Sequence, residues 1–391
     1  MASYISSNAN RFYTALESAY GNVASITSAN RIPALKLTAR QQLATSTRKD
    51  KTGSRTFPGL PIGGRLRTDF QLQTYLTSWN KSVAYPSYGP LFQAALGAAA
   101  QSFAGGTVAS ATSAGAVTFS AAHGLSAGRG LSYGGEVRFV ASVQDSTSVQ
   151  LNVPFTTTPA AGATIGATVT YTPATELPSV SVFDYWSPST AVQRILGGAA
   201  VDQMEILVNG DYHEFHFSGL AQDVLDSSSF SAGVGALQAF PDEPALDAFD
   251  YSIVPGHMGQ AWLGTPSPSQ FFTITNANFT LKNNLDTRTR EFGSTLPRAI
   301  SPGQRSVTVA FEMFGQDDDA TKGLYQAARQ QSPVSVMFQL GEIDGQLMAV
   351  NLKSVVPQVP EYDDGQNRLQ WKFRDSRAQG TGDDEISVTF A

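Results

Sequence analysis

The chain contains no cysteine. That absence excludes a disulfide framework, a thiolate nucleophile and Cys-ligated zinc or iron–sulfur sites. Charge is scarce too: 15% of the 391 residues are ionic and the net charge is −6, a balance that disfavours tight nucleic-acid binding. No apolar run approaches the roughly 18 residues of a membrane span. The N-terminal stretch lacks the basic-then-apolar order of a secretory signal, so neither membrane insertion nor export by that route is expected.

Catalytic chemistry finds little material. Of the four histidines, His213 and His216 lie in one strand pattern on opposite faces, so they cannot share a site and read as packed or hydrogen-bonded residues. His123 precedes a turn glycine and His257 lies in a linker. The acidic runs at 317–319, 362–365 and 382–385 lack the spacing of a calcium loop and read as a helix cap and turns. Nothing matches a phosphate loop, a dinucleotide fingerprint or a nucleophile elbow. No enzyme activity, cofactor or metal is expected.

What the chain does have is glycine (35), proline (20) and many short alternating runs, the composition of a mainly β protein. It also repeats itself. Thr56-Phe57-Pro58, then Gly63-Gly64, then an alternating run over 68–75 are answered by Thr295-Leu296-Pro297, Gly303 and a run over 307–314. Leu91-Phe92-Gln93-Ala94-Ala95 is answered by Leu324-Tyr325-Gln326-Ala327-Ala328, a helix in each unit. Val180-Ser181-Val182 is answered by Val334-Ser335-Val336, and the aromatic strand 212–217 by 368–373.

The helix and the Val-Ser-Val strand adjoin in the second copy but are separated by residues 99–177 in the first. That insertion, nearly uncharged and full of short strand patterns, predicts a small β-domain of its own. The expected organisation is an arm over 1–32 with one helix at 9–20, a first unit of 33–98 and 178–228, the insertion, a linker over 229–268, and a second unit over 269–391. Basic residues recur in both units ahead of the Thr-x-Pro landmark: Arg40, Arg48, Lys49, Lys51 and Arg55, then Lys282, Arg288, Arg290 and Arg298, with Glu291 and aspartates among them. Such paired charged segments suit contact with a neighbouring subunit.

The unit of paired strands, long charged loop, helix and closing hairpins resembles the tail tube proteins of long-tailed bacteriophages of the siphovirus type. The second unit, from Phe272 to the ending 382–390, and the phrase 210–219 carry most of the likeness. The resemblance implies two tandem β-sandwich or barrel domains, each with a flanking helix. In that family subunits form rings whose inner strands make a continuous barrel, and the rings stack. Two units per chain imply three chains per ring with pseudo-sixfold symmetry, and the insertion implies an outward decoration. Implied partners are further copies of the chain, a tape-measure protein, tail-end proteins, and DNA passing without specific binding. The implied location is the virion, with assembly in the host cytoplasm. Other ring proteins of the same machinery (tail terminator, distal tail, secretion tube) are alternatives. A carbohydrate-binding sandwich would use Trp79, Trp186 or Trp371, which otherwise read as core.

Strands with one wet face suit a lumen. The expected wall residues are Asp69, Gln71, Gln73, Glu214 and His216 in the first unit and Thr308, Ala310, Glu312, Gln370 and Lys372 in the second, an uncharged or acidic wall. The expected inter-ring loop residues are Arg48, Lys49, Lys51, Arg55, Arg288, Arg290 and Glu291.

Overall fold

A computed structural model describes residues 4–44, 51, 53–56, 59, 64–246, 249, 251–264, 267–288, 291–365 and 367–391. In chain order, the first unit has β1 (Asn10–Leu16), β2 (Arg31–Ile32), β3 (Ala34–Ala44), β4 (Arg65–Tyr75) and α1 (Gly89–Leu96). The insertion has β5 (Gln101–Phe103), β6 (Gly106–Ser113), β7 (Ala116–Phe119), β8 (Gly130–Tyr133), β9 (Glu136–Val143), β10 (Ser148–Leu151), β11 (Thr164–Ile165) and β12 (Thr168–Tyr171). The first unit then resumes with β13 (Val180–Trp186), β14 (Arg194–Val208), β15 (Glu214–Ala221) and β16 (Asp223–Asp226). The second has β17 (Gly259–Gly264), β18 (Ser269–Gln270), β19 (Ile274–Lys282), β20 (Asp286–Thr287), β21 (Ile300–Ser301) and β22 (Ser306–Phe314). It ends with α2 (Asp319–Gln330), β23 (Val334–Leu340), β24 (Met348–Val356), β25 (Glu361–Asp363), β26 (Gln370–Ala378) and β27 (Ser387–Phe390).

The fold is mainly β, with antiparallel sheets and a near-closed, barrel-like main sheet. Both units are wired alike. Hydrogen-bonded neighbours run β3-β4-β15-β14-β13-β1 in the first and β19-β22-β26-β24-β23-β17 in the second. Even the irregularities coincide: register shifts at Ala34/Lys36 and Ile274/Asn276, and again at Val180/Val182 and Val334/Val336. Bulges at matching rungs are features that a duplication copies and chance pairing does not.

Alternation decides the layers. In β22 every second residue (Val307, Val309, Phe311, Met313) is buried and the others are part-exposed, so one face packs inward. Phe70, Phe217, Phe279, Phe311 and Phe373 from that layer share one core with Val182, Leu196, Val336, Leu352 and α1 from the other. α2 starts where the Asp318 carboxylate accepts the Thr321 amide at 2.7 Å.

Two expectations need correction. Residues 9–20 hold a strand, β1, rather than a helix. Phe12, Tyr13, Thr14 and Ala15 are all buried because β1 is covered on both faces, and two-sided burial erases the alternation that marks a strand. β1 pairs along β13 as β17 pairs along β23, so residues 10–16 belong to the first unit and 259–264, placed in the linker, to the second. The rest of that linker is anchored on the first unit by Phe230, Leu237 and Phe240 and by a Glu243–Arg11 ion pair.

The insertion is docked on the second unit. Its six-stranded sheet has its own apolar core, yet Val137, Phe139 and Val153 pack on Met337, Leu347, Ala349 and Ala391 of the second unit. Its stem strand β12 pairs with β5 and also with β27, so the last strand of the chain is held between β12 and β24. At the centre of the contact Arg138 is fully buried. Its guanidinium meets the Glu136 carboxylate at 2.9 Å and donates to Gln339 at 3.1 Å and Gln260 at 3.0 Å. Burial pushes the Glu136 carboxyl up, but hydrogen bonds from the Thr156 hydroxyl and amide, with Arg138, hold it below the ordinary glutamate range.

Replacing Arg138 by Met strands that carboxylate without its cation, a change that costs about 3–5 kcal/mol in buried pairs. The expected result is a lower urea midpoint and faster protease nicking within the insertion. An unchanged midpoint and digestion pattern would show that the contact contributes nothing.

Candidate functional site

The inner layer is one continuous antiparallel sheet ordered β3-β4-β15-β14-β19-β22-β26-β25. The two units meet inside it, where β14 pairs with β19 from Gln203↔Lys282 to Val208↔Ala277. Rows of directly opposed residues cross the whole sheet. One reads Lys36, Gln73, His216, Glu205, Thr280, Thr308, Arg377, without an apolar member. Opposed residues share a face, so this row is one polar band.

All of the expected wall residues lie on that face. Asp69, Gln71 and Gln73 alternate with buried Phe70 and Leu72, and Glu214 and His216 with buried Phe215 and Phe217. Thr308, Ala310 and Glu312 do the same in β22, and Glu312 stands opposite Lys372, with Gln370 two residues along. Side chains tie neighbouring strands together. His216 Nε2 lies 3.0 Å from Glu214 and its Nδ1 3.6 Å from Glu205, while Glu312 accepts from Asn276 at 2.9 Å and Gln370 at 3.0 Å.

The expectation of an uncharged or acidic face is overturned. Arg40 and Lys282, read as part of the charged loops, sit in β3 and β19 and face the same way, as do Lys36 and Arg377. The face is mixed instead, with cations beside acids: Arg67–Asp69 at 3.0 Å, Lys372–Asp363 at 2.6 Å, Arg374–Glu361 at 3.1 Å. The sequence signal was present. Lys36, Thr38, Arg40 and Gln42 alternate with Leu35, Leu37 and Leu43, but β3 is exposed along most of its length and reads as loop.

Of the loop residues, Arg48, Lys49 and Arg290 lie outside the described residues. Lys51 and Arg55 are exposed, and Arg288 is ion-paired with Glu291. The second unit's loop crosses onto the first unit, where Thr295 accepts the Leu66 amide at 2.8 Å and Pro297 the Gln222 side chain at 2.9 Å. Among the described residues no group of three His, Cys, Asp or Glu is placed to hold a metal ion. Among the same residues no helix is long and apolar enough to cross a membrane. Trp79 is buried and donates to the Val83 carbonyl at 3.1 Å; Trp186 and Trp371 are half-buried.

The sheet is open at both ends. β3 pairs only with β4, and β25 only with β26, among the described residues. Apolar side chains gather at these ends: Leu35 and Leu43 on one, Val359 and Tyr362 on the other, each more than 40% exposed. Equivalent positions behave differently in the two units. Phe92, Ile206 and Phe215 are fully buried in the first, where β19 continues the sheet and β12 and β27 cover the helix side. Their counterparts Tyr325, Tyr362 and Trp371 in the second are part-exposed and meet one another, Trp371 also touching Phe373.

No family model matches the chain, and no curated protein matches it. Among solved structures, one similar to it is the SPP1 tail tube, determined as a hybrid of solid-state NMR and cryo-EM. It is 16% identical, with 34% of this chain and 81% of that one covered and a TM-score of 0.27.

His213, on the core side just ahead of β15, is buried with Nε2 against the Met258 carbonyl at 3.1 Å and no partner for Nδ1. Burial pushes its pKa down, which the Met258 hydrogen bond only partly opposes. The unfolded chain therefore takes up a proton near about pH 6.5 that the folded chain resists, and stability present above that pH is lost as pH falls through it. The counterpart of His213 in the second unit is Leu369. A His213→Leu variant should show a smaller fall in Tm between about pH 7.5 and 5.5 than the parent. Equal falls would place the pH sensitivity elsewhere.

Proposed function

We propose that the chain is the structural subunit of a bacteriophage tail tube, assembling into rings that stack into a hollow conduit for DNA. One observation carries the reading: the inner sheet stops at both ends on unpaired strands, and the neighbour each end lacks is one that the chain already supplies to itself at the β14–β19 junction. A second copy placed by the same relation continues the sheet, and repetition closes it. Three chains would give six such junctions, and closure would remove the exposed edges that otherwise invite uncontrolled pairing.

The apolar face of the closed sheet would point outward to the core and helices, and the polar face would line the channel. A wall whose cations stand beside acids has few unneutralised groups for phosphate and releases few DNA counterions, so a polyanion would pass without being held. The charged loops would engage neighbouring rings. A tape-measure protein in the channel, tail-end proteins at the two openings and location in the virion complete the proposal. His213 and His216 point to opposite faces of their strand and Trp79 is buried with its indole donating to Val83, which favours this reading over a sugar-processing sandwich.

Concentrated purified protein should form hollow filaments in negative-stain images, with fast-sedimenting species in the ultracentrifuge. Single short rings that never stack would favour a terminator or distal ring protein, and a persistent monomer at high concentration would overturn the reading.

A further inference from the structure

The chain's internal repeat gives more than the existence of a subunit junction; it specifies the rungs. Because His216 opposes Glu205 in the first unit as Lys372 opposes Glu361 in the second, Glu361 is the counterpart of Glu205. Lys36 opposes Gln73 as Asn276 opposes Glu312, each one step past a register shift at the same place, which makes Arg40 the counterpart of Thr280. Within the chain Glu205 stands opposite Thr280 and Ile206 opposite Phe279.

We infer that a second copy of this chain pairs its β3 against β25 in that register, with Arg40 of one copy opposite Glu361 of the other, Ala39 opposite Tyr362, and Thr38 opposite Asp363. The partner is chosen by what the two edges present. Inside the chain Glu205 faces the uncharged Thr280; between chains the corresponding rung pairs an acid with a base. Arg40 has no ion pair among the described residues, and Glu361 is exposed and shared only with Arg374 at 3.1 Å. On the other face the small Ala39 replaces Phe279 opposite the larger Tyr362, so the rung keeps one aromatic, which moves to the other strand. A slip by one residue would put Arg40 opposite Tyr362 or Glu361 opposite Ala39 and turn charged groups to the apolar face. The charge pair thus selects one register and one partner edge, and disfavours β3 pairing with β3, where Arg40 and Lys36 would crowd one another.

This inference rests on the tube reading, and its test separates the two. The cysteine-free chain accepts engineered pairs without background. Assembled Ala39→Cys/Tyr362→Cys and Thr38→Cys/Asp363→Cys variants are oxidised and run on non-reducing gels; of two successive rungs one has the closer, non-hydrogen-bonded geometry. At least one pair should give covalent oligomers, whereas each single variant and the off-register Ala39→Cys/Glu361→Cys pair should not. Separately, Arg40→Glu and Glu361→Arg should each raise the concentration for half-assembly by about tenfold. The double exchange should recover most of that loss, which damage confined to one chain would not. Assembly with cross-links only off register, or without rescue, overturns the register and leaves the tube. Failure of the parent chain to assemble overturns both.

Discussion

Everything in this molecule turns on an unmet backbone requirement. Each strand of a sheet offers amide and carbonyl groups on two sides, and groups left unpaired must be hydrated or shielded. β3 runs for eleven residues with one side open, without proline and with apolar side chains toward its ends. Its protection is partial: a register shift at Ala34/Lys36 and the charges of Lys36 and Arg40 mark the edge, but the strand is long and carries no inward charge on its apolar face. At the opposite end, β25 and the aromatic group of Tyr325, Tyr362 and Trp371 are equally uncovered. An isolated chain carries both deficits.

Duplication explains why the deficits match. Since the two units share strand order and two register shifts, the surface that β14 shows to β19 is also, in outline, the surface that the β25 edge shows to solvent. The copies then diverged according to what covers them. Phe92, Ile206 and Phe215 lie under cover and are purely apolar; of their part-exposed counterparts, Tyr325 and Tyr362 carry hydroxyls, as suits surfaces that spend time in water. The insertion belongs to the same logic. By packing on β23 and pairing through β12 with β27, it joins the second unit to the first on the outer layer, as β14–β19 does on the inner one. Two attachments fix the relative orientation of the units, and that orientation sets the curvature that any further copy inherits.

Much of this was legible in the amino acids, and the failures share one cause. Period-two alternation exposed β4, β15, β22 and β26 together with their wet faces, because each packs on the core from one side only. Matching residue types exposed the repeat, and the position of the insertion followed from unequal spacing. β1 escaped because neighbours on both faces bury four consecutive residues. β3 escaped for the opposite reason: in a lone chain few of its residues are buried, and its arginine and lysine resemble a loop. The docking of the insertion depends on Arg138 meeting Gln260 and Gln339, residues more than one hundred positions away, and no local pattern records that. Periodicity reports one-sided burial, and it falls silent where burial is absent or complete.

The mixed polar face shows how misreading one strand changes a chemical conclusion. Taken without β3, β14 and β19, the face is mostly amide and carboxylate; taken whole, it gains Lys36, Arg40, Lys282 and, from β26, Arg377. A wall of unopposed carboxylates would repel a polyanion and favour its exclusion, and one of unopposed guanidinium groups would retain it. Close pairs such as Arg67–Asp69, Lys372–Asp363 and Arg374–Glu361 would lower both barriers where they stand, because each cation is offset by an acid within the roughly 8–10 Å screening length of physiological salt. For a conduit, neutrality at that scale matters more than net charge, and it is set by which residues stand opposite one another across strands. The same cross-strand register that would close the proposed ring would therefore also set what a channel through it presents to a polyanion.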